Sequence, residues 1–228
     1  MTSPRLWYFA DPMCSWCWGF APVITAIGET YGDRLPLRLM MGGLRPGTAE
    51  PVTPEFREEI LQHWHEVHAS TGQPFKFDGA MPEGFVYDTE PPSRAVIAVE
   101  SLNPQAGFAY FKSVQAAFYT EGRDVTRPLT LAVLAEQMDI SPTRFLERFD
   151  ADDIKQQTQM DFRQTWEAGV RGFPTVVLQR DSQYALLTTG YRPIEELVSE
   201  IDAWLADEPS ADFPHEPDEA GDDYQRID

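Results

Sequence analysis

Residues 5–10, "RLWYFA", alternate in character and are rich in aromatics, the pattern of a strand. The period then changes. Cys17, Phe20, Ala21, Ile24, Ile27 and Tyr31 recur at helical spacing and make one apolar stripe. Pro22 lies inside this helix; it lacks the N–H that would donate to the Trp18 carbonyl, so a kink is expected there. "LPLRLMMGG" (35–43) reads as a second strand, stopped by two glycines. A strand, a helix and a strand inside about forty residues form a βαβ unit with its two strands parallel.

From about 52 to 170 the apolar pattern is helical. Phe56, Ile60, Trp64 and Val67 share one face, and 92–102, 108–121, 130–139, 141–149 and about 152–169 each read as helices punctuated by Pro and Gly. Ser141 is placed to cap one of them, with Pro142 in its first turn. "FPTVVLQ" (173–179) and "YALLTTG" (184–190) return to strand character and, joined by the polar "RDSQ", form a hairpin. Ile194, Leu197, Val198, Ile201 and Leu205 line a last helix. The order is β-α-β, a helical insertion, then β-β-α. It predicts an α/β chain with one mixed four-stranded sheet drawn from 1–50 and 171–206, and a helical insertion domain, 51–170, capping it. Residues 207–228 are acidic and Pro-rich and are expected to form a disordered or surface-draped tail.

Charge narrows the classes of partner. The formal net charge is −19, of which nine acidic residues and one Arg from Asp207 onward supply −8. Such a surface repels phosphates, which argues against nucleic acid and anionic membranes. Lysine is confined to Lys76, Lys112 and Lys155, a composition that solubilises. No secretory signal and no apolar run of membrane-spanning length is visible, so a soluble cytoplasmic protein is expected. In that compartment a structural disulfide is out of place, and a lone Cys-x-x-Cys reads as catalytic or metal-binding.

Both cysteines lie in "DPMCSWCWGF" (11–20), three positions apart, a spacing that random placement in a chain of this length gives roughly one time in a hundred. A loop leaving a strand and entering a helix puts Cys14 at the helix N-terminus, where unpaired N–H groups and the macrodipole favour an anion. The first thiol is therefore expected to ionise more readily than a free one, and Cys17, one turn inside, to be the more buried. Zinc competes for the same residues but needs four ligands, so His63, His65, His68 or His215 would have to complete the set. Only His65 and His68 share a helix face, and "HWHEVH" is more simply a solvated edge around a buried Trp64. No metal is expected. Two inert core thiols remain a third reading, at odds with placement at a helix start beside Trp16 and Trp18.

"CSWCWGFAP" resembles the active site of thioredoxin folds, a Cys-x-x-Cys opening a helix with a proline, here Pro22, five positions beyond the second cysteine. "GVRGFPTVVL" (169–178) resembles the loop that carries the cis-proline of such folds, with Pro174 in that position. A helical block between the second and third strands marks the DsbA-like branch. With "GGLRPG" (42–47), the chain looks most like the FrnE-like oxidoreductases, relatives of 2-hydroxychromene-2-carboxylate isomerase and kappa-class glutathione transferase. The resemblance implies a thioredoxin fold and thiol–disulfide exchange: Cys14 attacks, Cys17 resolves, and protein or small-molecule thiols and disulfides are the partners.

Under that resemblance Trp16, Phe173, Pro174 and Thr175 are the expected substrate contacts, and Ser15 and Asp11 tune the thiols. No cofactor is implied beyond the redox disulfide, with glutathione as an optional co-substrate whose carboxylate Arg45 would meet. Many DsbA-like sites have Pro where this chain has Ser15, so the redox potential does not carry over. The isomerase and transferase relatives usually have Ser where this chain has Cys14, which favours disulfide exchange. A glutathione-dependent transferase or isomerase and a chaperone-like peptide-binding module are the alternatives.

Overall fold

In the computed structural model residues 3–206 are described; the tail expected at 207–228 lies outside them. The strand pattern at the start becomes β1 (Arg5–Ala10), followed by α1 (Ser15–Tyr31) and β2 (Leu37–Met41). Six helices follow: α2 (Pro54–Thr71), α3 (Glu90–Leu102), α4 (Gly107–Tyr119), α5 (Pro128–Glu136), α6 (Pro142–Phe149) and α7 (Asp152–Glu167). The chain closes with β3 (Thr175–Arg180), β4 (Gln183–Thr189) and α8 (Ile194–Ala206). The sheet order is β2-β1-β3-β4, with β1 and β2 parallel and the other pairs antiparallel. This is a thioredoxin-like mixed sheet of the α/β class.

Register sorts the sheet into two faces, because successive side chains point opposite ways. Leu6, Tyr8 and Ala10 lie level with Leu178 and Val176 of β3 and are fully or almost fully buried. Tyr8 meets Phe20 of α1 at 6.0 Å and, edge to face, Phe111 of α4 at 6.1 Å. The alternate set, Trp7 and Phe9 with Val177 and Thr175, points the other way. There α7 covers the β2 side. Asp161 accepts from the Met41 N–H and Thr165 donates to the Met41 carbonyl, pairing backbone groups that an edge strand would otherwise expose. Toward β4 the face stays open, with Tyr184 63% and Leu186 65% exposed.

The insertion clasps α1. Helix α1 runs through Pro22, and the Trp18 carbonyl that Pro22 cannot serve accepts instead from Gln73 Nε2 at 2.9 Å. The next residue returns the contact, since Trp18 Nε1 donates to the Pro74 carbonyl at 2.9 Å. At Gly19 α1 lies close against α2. A Cβ there would stand 2.8 Å from Val67 Cγ1. Ser141 caps α6 as its sequence suggests, accepting from the Arg144 N–H.

Candidate active site

Cys14 is the N-cap of α1, and its sulfur accepts from the Cys17 N–H at 3.4 Å. It keeps 6% exposure, while Cys17, one turn on, has none. The Phe173–Pro174 peptide bond is cis, and the Phe173 carbonyl lies 3.5 Å from the Cys14 sulfur. Loop 172–174 is held by its own chemistry: Thr175 donates its hydroxyl proton to the Gly172 carbonyl, and the Gly190 N–H donates to the Pro174 carbonyl. The Phe173 ring lies over Gly42, where a Cβ would come within 2.3 Å of it. The glycine that ends β2 therefore makes room for the residue facing the thiol.

Asp11 builds the turn between β1 and α1. Its carboxylate accepts from the Met13 N–H at 2.9 Å and the Leu44 N–H at 2.8 Å, tying the helix start to the segment after β2. Burial pushes its pKa up to about 6, against the pull of those hydrogen bonds. Burial likewise holds the Cys17 thiol well above its ordinary pKa; the neighbouring Cys14 sulfur adds to this and the Asp11 N–H opposes it.

Three tyrosines complete the inner side of the pair. The buried Tyr8 hydroxyl, without a hydrogen-bond partner of ordinary geometry, faces the sulfurs. Tyr87 donates to the Met13 carbonyl, and the Tyr119 hydroxyl lies beside that of Tyr87. Sequence reading missed all three. Tyr8 could have been found, since it shares the phase of Leu6 and Ala10; Tyr87 and Tyr119 arrive from the insertion and left no local signal.

Of the other sequence candidates, Trp16 and Ser15 stand in the first turn of α1, both part-buried, with the Trp16 ring 6.4 Å from Tyr191. Arg45 lies over the Phe56 ring at 4.6 Å, and its backbone N–H donates to Thr89. Burial raises the pKa of the Tyr87 phenol, and the Arg45 guanidinium opposes that shift. His65 stacks on Phe77 with ring centroids 3.9 Å apart, and His68 Nδ1 bonds the Gln73 carbonyl. Among the described residues no group of three or more His, Cys, Asp or Glu is gathered to hold a metal. Nor is any described helix long and apolar enough to cross a membrane.

Residues 5–202 match the DSBA-like thioredoxin domain. A solved structure from Nitrosomonas europaea, assigned as a candidate protein disulfide isomerase, is similar at 46% identity and a TM-score of 0.85, over 90% of this chain and 98% of that one. The cytosolic disulfide reductase DsbM from Pseudomonas aeruginosa is similar at 31% identity and a TM-score of 0.71, over 89% and 95%; its structure with GSH is also known. A curated relative, the ClpXP adapter protein SpxH of Halalkalibacterium halodurans, is 23% identical over 92% of this chain and 70% of its own length. With a domain match over almost all the described residues and two relatives above 30% identity, this chain belongs to the DsbA-like thioredoxin family.

Proposed function

We propose that this chain is a cytoplasmic thiol–disulfide oxidoreductase in which Cys14 attacks and Cys17 resolves. The observation that carries this reading is the asymmetry of the pair: a slightly exposed Cys14 at the start of α1, beside the Phe173 carbonyl, and a sealed Cys17 one turn behind it. The Cys14 thiolate attacks one sulfur of a substrate disulfide, forming a mixed disulfide and releasing the other sulfur as a thiolate. Cys17, as its proton leaves, attacks the Cys14 sulfur of the mixed disulfide and releases the second substrate thiol. Two electrons have moved to the substrate, and the Cys14–Cys17 disulfide is reopened by an external thiol. Phe173 and Trp16 flank the sulfur as substrate contacts. Pro174 and Thr175 shape the loop, and Asp11 and Ser15 tune the helix start.

The likeness to DsbM, a cytosolic disulfide reductase, supports the reductive direction and the compartment. Arg45, for which no ion pair is found among the described residues, supports a carboxylate-bearing thiol such as glutathione as the regenerating partner. Disulfide reduction with a glutathione-regenerated enzyme tests the reading. Cys14→Ser should abolish turnover, and Cys17→Ala should accumulate a mixed disulfide visible by mass spectrometry. Full activity in Cys14→Ser overturns it. Activity that survives Cys17→Ala with saturable glutathione dependence favours a transferase or isomerase instead. Suppression of aggregation by the double-cysteine variant, with no turnover by the wild type, favours a chaperone-like module.

A further inference from the structure

Cys17 has to attack from a sealed position. It is fully buried, and burial holds its thiol well above the ordinary pKa. The charges of Cys14 and Asp11 push the same way, and the Asp11 N–H opposes them. Once Cys14 is tied up in a mixed disulfide its charge is gone, and the cost of burial is left. A thiolate formed there has to be held by hydrogen bonds from the protein.

The strand beneath it carries an idle donor. Tyr8 of β1 has no exposure, and its ring packs against Phe20 of α1 at 6.0 Å and Phe111 of α4 at 6.1 Å. A phenylalanine would make both contacts without burying a hydroxyl, which costs free energy unless it is bonded. The two other tyrosines at the pair are engaged: Tyr87 donates to the Met13 carbonyl, and the Tyr119 hydroxyl lies beside that of Tyr87. The Tyr8 hydroxyl has no partner of ordinary geometry among the described residues. The group that acts on it through both charge and hydrogen bonding is the Cys17 sulfur, whereas Cys14 acts through its charge. Around a neutral thiol that contact is loose; a sulfur that gains charge draws the O–H in.

We propose that the Tyr8 O–H donates to the Cys17 sulfur as that sulfur ionises and attacks, which makes Tyr8 the hydrogen-bond donor of the resolving step; the proposal rests on the oxidoreductase reading. Tyr8 keeps its proton throughout. The Cys14–Cys17 bond forms as the bond from Cys14 to the substrate sulfur breaks, and the Cys17 proton ends on that released sulfur. The two cysteine sulfurs are oxidised, and the substrate sulfur leaves reduced. Because the bond tightens only as charge gathers on Cys17, it favours the attack over the resting thiol. Cys14 needs no such help, since its sulfur already accepts from the Cys17 N–H at the start of α1.

The test is a single turnover of the reduced protein with 5,5′-dithiobis(2-nitrobenzoate), followed by stopped flow. Attack by Cys14 releases one coloured thiolate, and resolution by Cys17 releases a second. Tyr8→Phe should slow the second release at least threefold at pH 7 while the first stays within twofold. The threshold allows for a less acidic thiol being the better nucleophile once ionised. 4-Aminophenylalanine at position 8, which restores an N–H donor, should return the second release to within twofold of wild type. 4-Methylphenylalanine, similar in size but without a donor, should not, a difference that packing alone does not produce. A second release slowed less than threefold in Tyr8→Phe, equal slowing of both releases, or equal rates with the amino and methyl side chains overturns the proposal. Should Tyr8→Phe fail to fold, the comparison of amino with methyl decides it. A wild type that releases a single equivalent has no resolving step; the oxidoreductase reading then fails, and the proposal with it.

Discussion

The two faces of one sheet are built from the same strands and have opposite fates. On the inner face Leu6, Tyr8, Val176 and Leu178 disappear beneath α1, α4 and their neighbours. On the outer face Trp7, Phe9 and Val177 stand one residue away along the same backbone and line an open cleft. Alternation delivers apolar side chains to both sides equally; what differs is whether a helix arrives to cover them. The helix that lands on the outer face, α7, is bonded to β2 through Asp161 and Thr165, while Tyr184 and Leu186 of β4 stay exposed. The inner face thus holds the helix that starts at the cysteines, and the outer one, among the described residues, stays uncovered toward β4.

That contrast can be pressed with substitutions, taken from the largest expected effect downward. Phe20→Ala empties a fully buried site between α1 and the sheet and should lower unfolding free energy by about 3–5 kcal/mol in urea titration. A loss below about 1 kcal/mol would mean that the inner face is not packed as described. Asp11→Asn reads the same enclosure through pH. The folded pKa of Asp11, about 6, lies above its unfolded value, so the neutral carboxyl contributes stability that is complete below about pH 4 and gone once pH passes 6. Between pH 4 and 7 the wild type should lose up to about 3 kcal/mol relative to Asp11→Asn. Parallel pH profiles would show that the turn is wetter than its burial implies.

Gln73→Ala strips the Trp18 carbonyl of its donor and should cost about 1 kcal/mol. Thermal melts that coincide with wild type would show that water replaces the amide without loss. Leu186→Ala, on the open face, should change stability by no more than about 0.5 kcal/mol. A drop of several kcal/mol there would erase the distinction between the faces.

The order of elements was legible because period alone separates a strand from a helix, and the stripe Cys17–Phe20–Ala21–Ile24–Ile27–Tyr31 fixes which side of α1 turns inward. The cysteine pair was legible as a helix start for the same reason. The openness of one face was not. "RLWYFA" carries apolar residues in both phases, as a strand covered on both sides would, and nothing within it says that only one side is covered. The two glycines after β2 read as a stop signal; their further purpose, space for the Phe173 ring above Gly42, depends on a residue more than a hundred positions away. Gln73, Tyr87 and Tyr119 escaped notice for the same physical reason. Each acts between the insertion and α1 or the turn before it, Gln73 on Trp18, Tyr87 on Met13 and Tyr119 stacked on Trp18, and local pattern carries no record of such contacts.

Pro22 and Gln73 tie two parts of the chain to one another. One position removes a hydrogen-bond donor from the cysteine helix, and the other, in a different part of the chain, gives one back. With Pro22 in place, losing Gln73 leaves the Trp18 carbonyl, one residue beyond Cys17, without its side-chain donor. With a residue bearing an N–H at position 22, the helix itself could serve that carbonyl and the glutamine would be released from the duty. The two sites therefore share one task, and it is there that the helical insertion and the cysteine helix depend on each other.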